Sequence, residues 1–235
     1  MTRPLSPSVH EAAMPPIITN EIDYWDHYAH GVTDKPREEA LKHAFGWTQY
    51  EGHGPGDELL GDPLSALELG CGRGNAVAAL ALKGVEATGV DLSAAQCEEA
   101  RQRWGDIPGA RYLHAEVLGL LATTDQRWDA IYSIWGALWF TDPKRLLPLI
   151  RKRLSPGGRL VFSHAPAVPG SYGIQGMYGN GFKGRRVWIY RWAYEPATWA
   201  DLLYRHGFVD IHARVEPAPE REHVGTLIVT AQAGR

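Results

Sequence analysis

The stretch from Ala66 to Glu99, ALELGCGRGNAVAALALKGVEATGVDLSAAQCEE, constrains the fold of this chain more than any other. Apolar Ala66, Leu67 and Leu69 run straight into Gly70, Gly72 and Gly74, and a helical run follows from Ala76 to Leu82. Strand, glycine turn and helix in that order begin a parallel βαβ unit. A second strand, Val85 to Val90, ends on Asp91. Ser93 then caps the next helix, and Gln96 closes a capping box with it. Lacking Cβ atoms, the turn bends tightly and lets a ligand lie against its backbone. Asp91, at the carboxyl end of the neighbouring strand, is placed to accept hydrogen bonds from a ribose diol. Together these features describe a nucleoside site.

The glycine spacing narrows the nucleoside. A dinucleotide fingerprint, G-x-G-x-x-G, lets a pyrophosphate approach the backbone. Here Gly70, Gly72 and Gly74 alternate, and Asn75 stands where the third glycine would be. Glu68, just before the turn, would repel a pyrophosphate and attract an amino group. The stretch from Leu67 to Gly74 resembles the E/D-x-G-x-G-x-G motif of class I S-adenosylmethionine (SAM) dependent methyltransferases, and Asp91 matches that family's ribose-binding acid. The resemblance implies an α/β fold, a doubly wound Rossmann-like sheet of seven strands that is mostly parallel with an antiparallel last strand. It also implies SAM as cofactor and S-adenosylhomocysteine as product, with the glycine turn holding the methionyl portion.

Further segments extend the resemblance. A third strand is expected from Arg111 to Leu118, and Glu116 there matches an acid that accepts a bond from the adenine amino group. A fourth runs from Trp128 to Ser133, with Asp129 as a structural acid. Leu154-Ser-Pro-Gly-Gly then leads into a fifth, Arg159 to Ser163. Leu92 and Ser133 join Glu68, Gly70, Gly72, Gly74, Asp91 and Glu116 in the expected cofactor-binding set. Tyr24, Trp25 and Tyr28 share one face of a helix that begins near Glu21. That face either packs on the core or, as in many small-molecule methyltransferases with a Tyr-Trp-Asp-x-x-Ala helix, folds over the cofactor through Tyr24 and Tyr28.

Three features point to the acceptor side. Trp47 sits in a glycine-rich loop, as a ligand-facing wall or as a buried pin. Trp135 and Trp139 follow the fourth strand, where open α/β sheets place their ligand crevice, and core packing is the alternative. An insertion at 167–194, mobile through its glycines and sticky through aromatics including Tyr172, Tyr178 and Phe182, reads as a lid; its Arg185, Arg186 and Arg191 either meet an acidic acceptor or form a solvated face. His164, just beyond the fifth strand, is the candidate general base, against a structural role.

Composition limits the partners. The net charge is −3 and lysines are few, so no basic stripe exists to track a nucleic-acid backbone. Cys71 and Cys97 have neither metal-ligand spacing nor a disulfide framework, and no metal site is expected. No stretch is long and apolar enough to cross a bilayer, so a soluble, cytoplasmic protein is expected, as monomer or homodimer. The expected organisation is a disordered tail at 1–20, a helical cap at 21–62 and a SAM-binding domain at 63–235. The function expected is methyl transfer from SAM to an oxygen, nitrogen, sulfur or carbon atom of a small, largely apolar or aromatic metabolite of secondary or specialised metabolism. A NAD(P)-dependent oxidoreductase and a non-catalytic SAM-binding regulatory protein are the alternatives.

Overall fold

The computed structural model describes residues 19–31, 35–179 and 187–234. Two helices lead, α1 (Glu21–Gly31) and α2 (Arg37–Lys42), followed by a 3-10 turn at Asp57–Leu60. Strands and helices then alternate as β1 (Ser65–Leu69), α3 (Asn75–Leu82), β2 (Glu86–Asp91), α4 (Ala94–Trp104), β3 (Ala110–His114), α5 (Val117–Thr123) and β4 (Trp128–Ile134). A short α6 (Ala137–Phe140) and a longer α7 (Pro143–Arg153) lead to β5 (Leu154–His164), of which His164 is the last residue. A hairpin of β6 (Gly173–Tyr178) and β7 (Trp188–Ala193) precedes α8 (Pro196–Arg205), β8 (Phe208–Glu216) and β9 (Thr226–Ala233).

Seven strands form one sheet in the order β3-β2-β1-β4-β5-β9-β8, in which β9 runs antiparallel to β5 and β8 and the other neighbouring pairs are parallel. This is the doubly wound sheet that the sequence predicts. β1 lies inside the sheet, between β2 and β4, and its residues Ala66 to Leu69 are buried, as in a strand covered on both faces. Leu67 and Leu69 face a core with Ile131, Phe162 and Val229, covered by Leu146, Leu147 and Ile150 of α7 and Trp199 of α8. Ala66 faces the opposite core with Val161 and Ile228, covered by Val77 and Leu80 of α3 and Trp104 of α4. Each such aliphatic side chain contributes about 1.5–3 kcal/mol on burial, so the centre of the sheet is a rigid platform. The chain leaves β1 toward β3 and returns at β4, which puts a topological switch point between β1 and β4.

Three local differences from the sequence reading have physical causes. The third strand stops at His114 rather than Leu118, because the Glu116 carboxylate accepts from the backbone N–H groups of Leu118 (3.0 Å) and Gly119 (2.8 Å) and so starts α5. Beyond α2 the chain enters the core, so that Trp47 is a buried pin rather than a ligand-facing wall: it is fully buried, and its indole N–H donates to the Gly56 carbonyl at 2.8 Å. Residues 35–62 are thus joined to the domain's own core through Ala40, Trp47 and Leu60. The insertion is a two-stranded ribbon whose Met177, Val187 and Ile189 pack on Tyr24 and Trp25 of α1 and Phe140 of α6. Phe182, Arg185 and Arg186, and most of the tail at 1–20, lie outside the described residues. Among the described residues, no helix is long and apolar enough to cross a membrane.

Candidate functional site

The glycine turn is fixed where β1 meets β2. Gly70 and Cys71 donate their backbone N–H groups to the Val90 carbonyl, at 2.8 and 3.1 Å. Gly70, Gly72 and Gly74 all have positive φ, of 77°, 51° and 73°. A Cβ on Gly70 would overlap the Ala137 backbone, and one on Gly74 would overlap the Tyr112 ring. At Gly72 a Cβ would meet nothing nearer than the Gln96 Oε1 atom at 4.0 Å. Packing therefore demands the outer two glycines, while the middle one leaves open space.

Asp91, at the carboxyl end of β2, accepts from Gly72 N–H at 2.8 Å through Oδ2 and from Ser93 N–H at 2.9 Å through Oδ1. Burial pushes its carboxyl above the usual range, and the backbone donors oppose that shift. Ser93 caps α4 by accepting from Gln96 N–H at 3.1 Å. The reciprocal half of the expected capping box does not form, because Asp91 takes the Ser93 N–H. Gln96 is consequently left buried with its Oε1 unpartnered, on the wall of the cleft.

That cleft, about 630 Å³ in volume, opens across the carboxyl ends of β1, β2 and β4. It is lined by the glycine turn, Glu68, Asp91, Leu92 and Glu116, together with Trp135, Phe140, Asp142, Arg145 and Trp192. Glu68 is buried, with a long hydrogen bond from the Tyr132 hydroxyl (3.4 Å), and burial raises its carboxyl well above the ordinary glutamate range. Between the ordinary and the raised value the folded chain holds a proton that the unfolded chain has released, so this group's contribution to stability falls as pH rises through that window. Glu68→Gln is expected to gain stability relative to the parent as pH rises from 5 to 8, read by thermal unfolding. It should also weaken binding of an amino-group ligand, because the amide has no proton to yield and so cannot become the carboxylate that a bound ammonium favours.

Helix α1 roofs the cleft. Trp25 and Tyr28 line it, and Asp26 pins the helix by accepting from Ser93 Oγ (2.5 Å) and Ala95 N–H (3.2 Å) at the start of α4. Ala29 is fully buried, and its carbonyl accepts from the Arg73 guanidinium at 3.0 Å. Asp26→Ala is expected to cost about 0.5–2 kcal/mol, the usual worth of an N-terminal cap, and to raise proteolytic cleavage within α1 before the sheet is attacked. Equal protection of α1 in both proteins would refute the pin.

Of the residues singled out from sequence, Tyr28, Glu68, Gly70, Gly72, Gly74, Asp91, Leu92, Glu116 and Trp135 line the cleft. The others do not. Tyr24 packs into the cluster of Val187 and Ile189. Ser133 is buried, donating to the Leu69 carbonyl (2.8 Å) and accepting from Leu138 N–H (3.2 Å), which ties the end of β4 to the turn. Trp47 belongs to the core, yet its carbonyl accepts from the Trp135 indole N–H at 3.0 Å. Trp135 needs such a hold: its φ is 51°, a left-handed conformation that costs a non-glycine residue about 1–2 kcal/mol. Tyr172 is half exposed and donates to Glu195 at 2.5 Å, and Tyr178 packs on Trp188.

Trp139 stacks face to face on His164, with ring centroids 5.4 Å apart, and carries the Arg191 guanidinium at 5.2 Å from its ring. His164 is fully buried between Trp139 and Phe162, with Nδ1 2.7 Å from the Ala165 carbonyl. Desolvation lowers its pKa to about 4, so the imidazole is neutral at pH 7 and stands outside the cleft wall. Sequence reasoning missed Gln96, Arg145 and Trp192. Only Gln96 carried a signal, lying one helical turn after the Ser93 cap.

Comparison with known proteins agrees with this geometry. A family model described as a methyltransferase domain matches residues 67–162. Trans-aconitate 2-methyltransferase of Paracidovorax citrulli is 34% identical over 114 residues, covering 46% of this chain and 43% of that protein. The enzyme of the same name from Methylobacterium radiotolerans is 35% identical over 158 residues, covering 60% of this chain and 56% of that protein. The chain thus spans about half the length of these curated relatives. Among solved structures, Burkholderia thailandensis 1,6-didemethyltoxoflavin-N1-methyltransferase, with bound 1,6-didemethyltoxoflavin and S-adenosylhomocysteine, superposes with a TM-score of 0.57 at 22% identity, over 76% of this chain and 75% of that one, which shows a shared fold. The stretch 67–162 is thus similar to a methyltransferase domain, and the relatives and the fold neighbour that this chain resembles are methyltransferases.

Proposed function

We propose that the chain transfers a methyl group from SAM to a small-molecule acceptor, leaving S-adenosylhomocysteine. The observation that carries this reading is Asp91, whose carboxylate is held by the Gly72 and Ser93 N–H groups beside a turn with open space at Gly72. The donor set fits an adenosyl amino acid. Asp91 faces the cleft for the ribose diol, Glu116 for the adenine amino group and buried Glu68 for an amino group. Gln96 Oε1, buried and unpartnered, adds an acceptor that a hydroxyl donor would satisfy. Trans-aconitate in the relatives' names supports a small-molecule acceptor.

When bound, SAM would supply an electrophilic sulfonium methyl group, open to in-line attack at carbon by an acceptor lone pair, with the carbon–sulfur bond pair passing to sulfur and S-adenosylhomocysteine as the leaving group. The chain's part is to orient and to exclude water. Asp91 and the glycine turn fix one reactant, and the walls formed by Trp25, Trp135, Phe140 and Trp192 hold the other in a dry environment. The reading assigns no step to His164, which is stacked on Trp139 away from the cleft.

Calorimetric titration with S-adenosylhomocysteine, SAM and NAD tests the cofactor. Binding of the first two without NAD is expected, followed by a mass gain of one methyl group in an acceptor screen. Binding of NAD alone would sink the proposal, and SAM binding with no turnover across the screen would favour the non-catalytic alternative.

A further inference from the structure

Two cations line the cleft among the described residues, and they stand in different states. Arg73 is committed: its guanidinium pairs with Glu99 at 3.0 Å and donates to the Ala29 carbonyl at 3.0 Å. Arg145, on the first turn of α7, donates its backbone N–H to the Asp142 carbonyl at 3.0 Å, and its guanidinium makes no hydrogen bond or ion pair with any described residue. The nearest carboxylate in sequence, Asp142, is engaged as the N-cap of the same helix, accepting from Lys144 N–H at 2.9 Å. Trp135, Phe140 and Trp192 line the same cleft as Arg145.

An unpaired guanidinium in a cleft with aromatic walls selects a particular chemistry. Its planar fork matches a carboxylate through two parallel N–H donors. An anion in the cleft is also drawn toward the cationic sulfonium that the proposed reaction places at the strand ends. Resting on the methyltransferase reading, we infer that the acceptor is an aromatic or apolar carboxylic acid whose carboxylate is recognised by Arg145. Arg145 is then a specificity-determining residue, and the aromatic walls hold the acid's apolar body.

The test compares trans-cinnamate with cinnamamide, which share a shape and differ in charge. Each is titrated into the free protein and into protein saturated with S-adenosylhomocysteine, for the parent, Arg145→Gln and Arg145→Lys. Arg145 is exposed, so either substitution should leave the fold intact. The expected result is a preference for cinnamate of about 10- to 100-fold, the range of one charge-assisted pair, abolished by Arg145→Gln and partly kept by Arg145→Lys. Affinity for S-adenosylhomocysteine should stay unchanged in both variants. Equal binding of acid and amide, a preference that survives Arg145→Gln, or no binding of either probe would overturn the inference. So would a parallel loss of S-adenosylhomocysteine affinity, because Arg145 would then serve the methionyl carboxylate. If S-adenosylhomocysteine fails to bind the parent while the acid preference in the free protein still depends on Arg145, the methyltransferase reading fails and the assignment of Arg145 stands.

Discussion

Asp91→Ala is expected to weaken S-adenosylhomocysteine binding by about 100-fold or more, since hydrogen bonds to a charged acceptor are worth about 1.5–3 kcal/mol each and a ribose diol offers two. The carboxylate is already oriented by Gly72 and Ser93 N–H groups, at 2.8 and 2.9 Å, so the ligand orders nothing to use it. Those donors lose their partner in the variant, and a modest loss of thermal stability should accompany the loss of binding. Asp91→Asn separates the two effects. It keeps one acceptor oxygen and most of the shape, and should retain the fold while binding at an intermediate level. Burial raises the Asp91 carboxyl above the ordinary aspartate value, so ligand affinity should decline on acidification at a higher pH than a solvated aspartate would give. Undiminished affinity in Asp91→Ala, measured calorimetrically on folded protein, would remove the ribose assignment.

The parts of this site that were legible in sequence are those fixed by backbone geometry. Gly70, Gly72 and Gly74 announce themselves because only glycine tolerates that succession of positive φ angles, and Asp91 because a strand end adjacent to the turn has one place to point. The sheet followed from strand and helix periodicities taken in order. Side chains whose environment depends on distant segments were less legible. Trp47 in a glycine-rich loop reads equally as wall or pin, and only the path of residues 35–62 into the core decides for burial. His164 ends β5, where alternation leaves two faces open; the face it takes is filled by Trp139, Phe162 and Trp199. Glu116 was found as a cleft acid, but Val117 and Leu118 after it read as a continuing strand because a short apolar run suits strand and helix alike. Arg145 was invisible because an arginine in a polar first turn looks like any solvated cation until the opposite wall of the cleft is known.

Gly74→Ala and Gly72→Ala are expected to part company, although the two residues are alike in sequence and in φ. At position 74 the new methyl overlaps the Tyr112 ring, which is buried and donates its hydroxyl to the Gly74 carbonyl at 3.2 Å, so the ring has no free direction of retreat. Overpacking of about 1–3 kcal/mol adds to a left-handed penalty of about 1–2 kcal/mol, a large part of the stability of a domain this size. Urea unfolding should show that loss, and ligand binding should fall with the folded fraction. At position 72 only the left-handed penalty applies, because the methyl meets nothing nearer than 4.0 Å. That variant should stay folded at physiological temperature and yet lose about tenfold or more in S-adenosylhomocysteine affinity, because the methyl occupies the space a ligand needs against the turn. Destabilisation alone cannot produce that pattern, since the less strained substitution shows the binding defect on a folded protein. Full affinity in Gly72→Ala would mean that the ligand does not lie against the middle of the turn, and the cradle would then have to be placed elsewhere along the cleft.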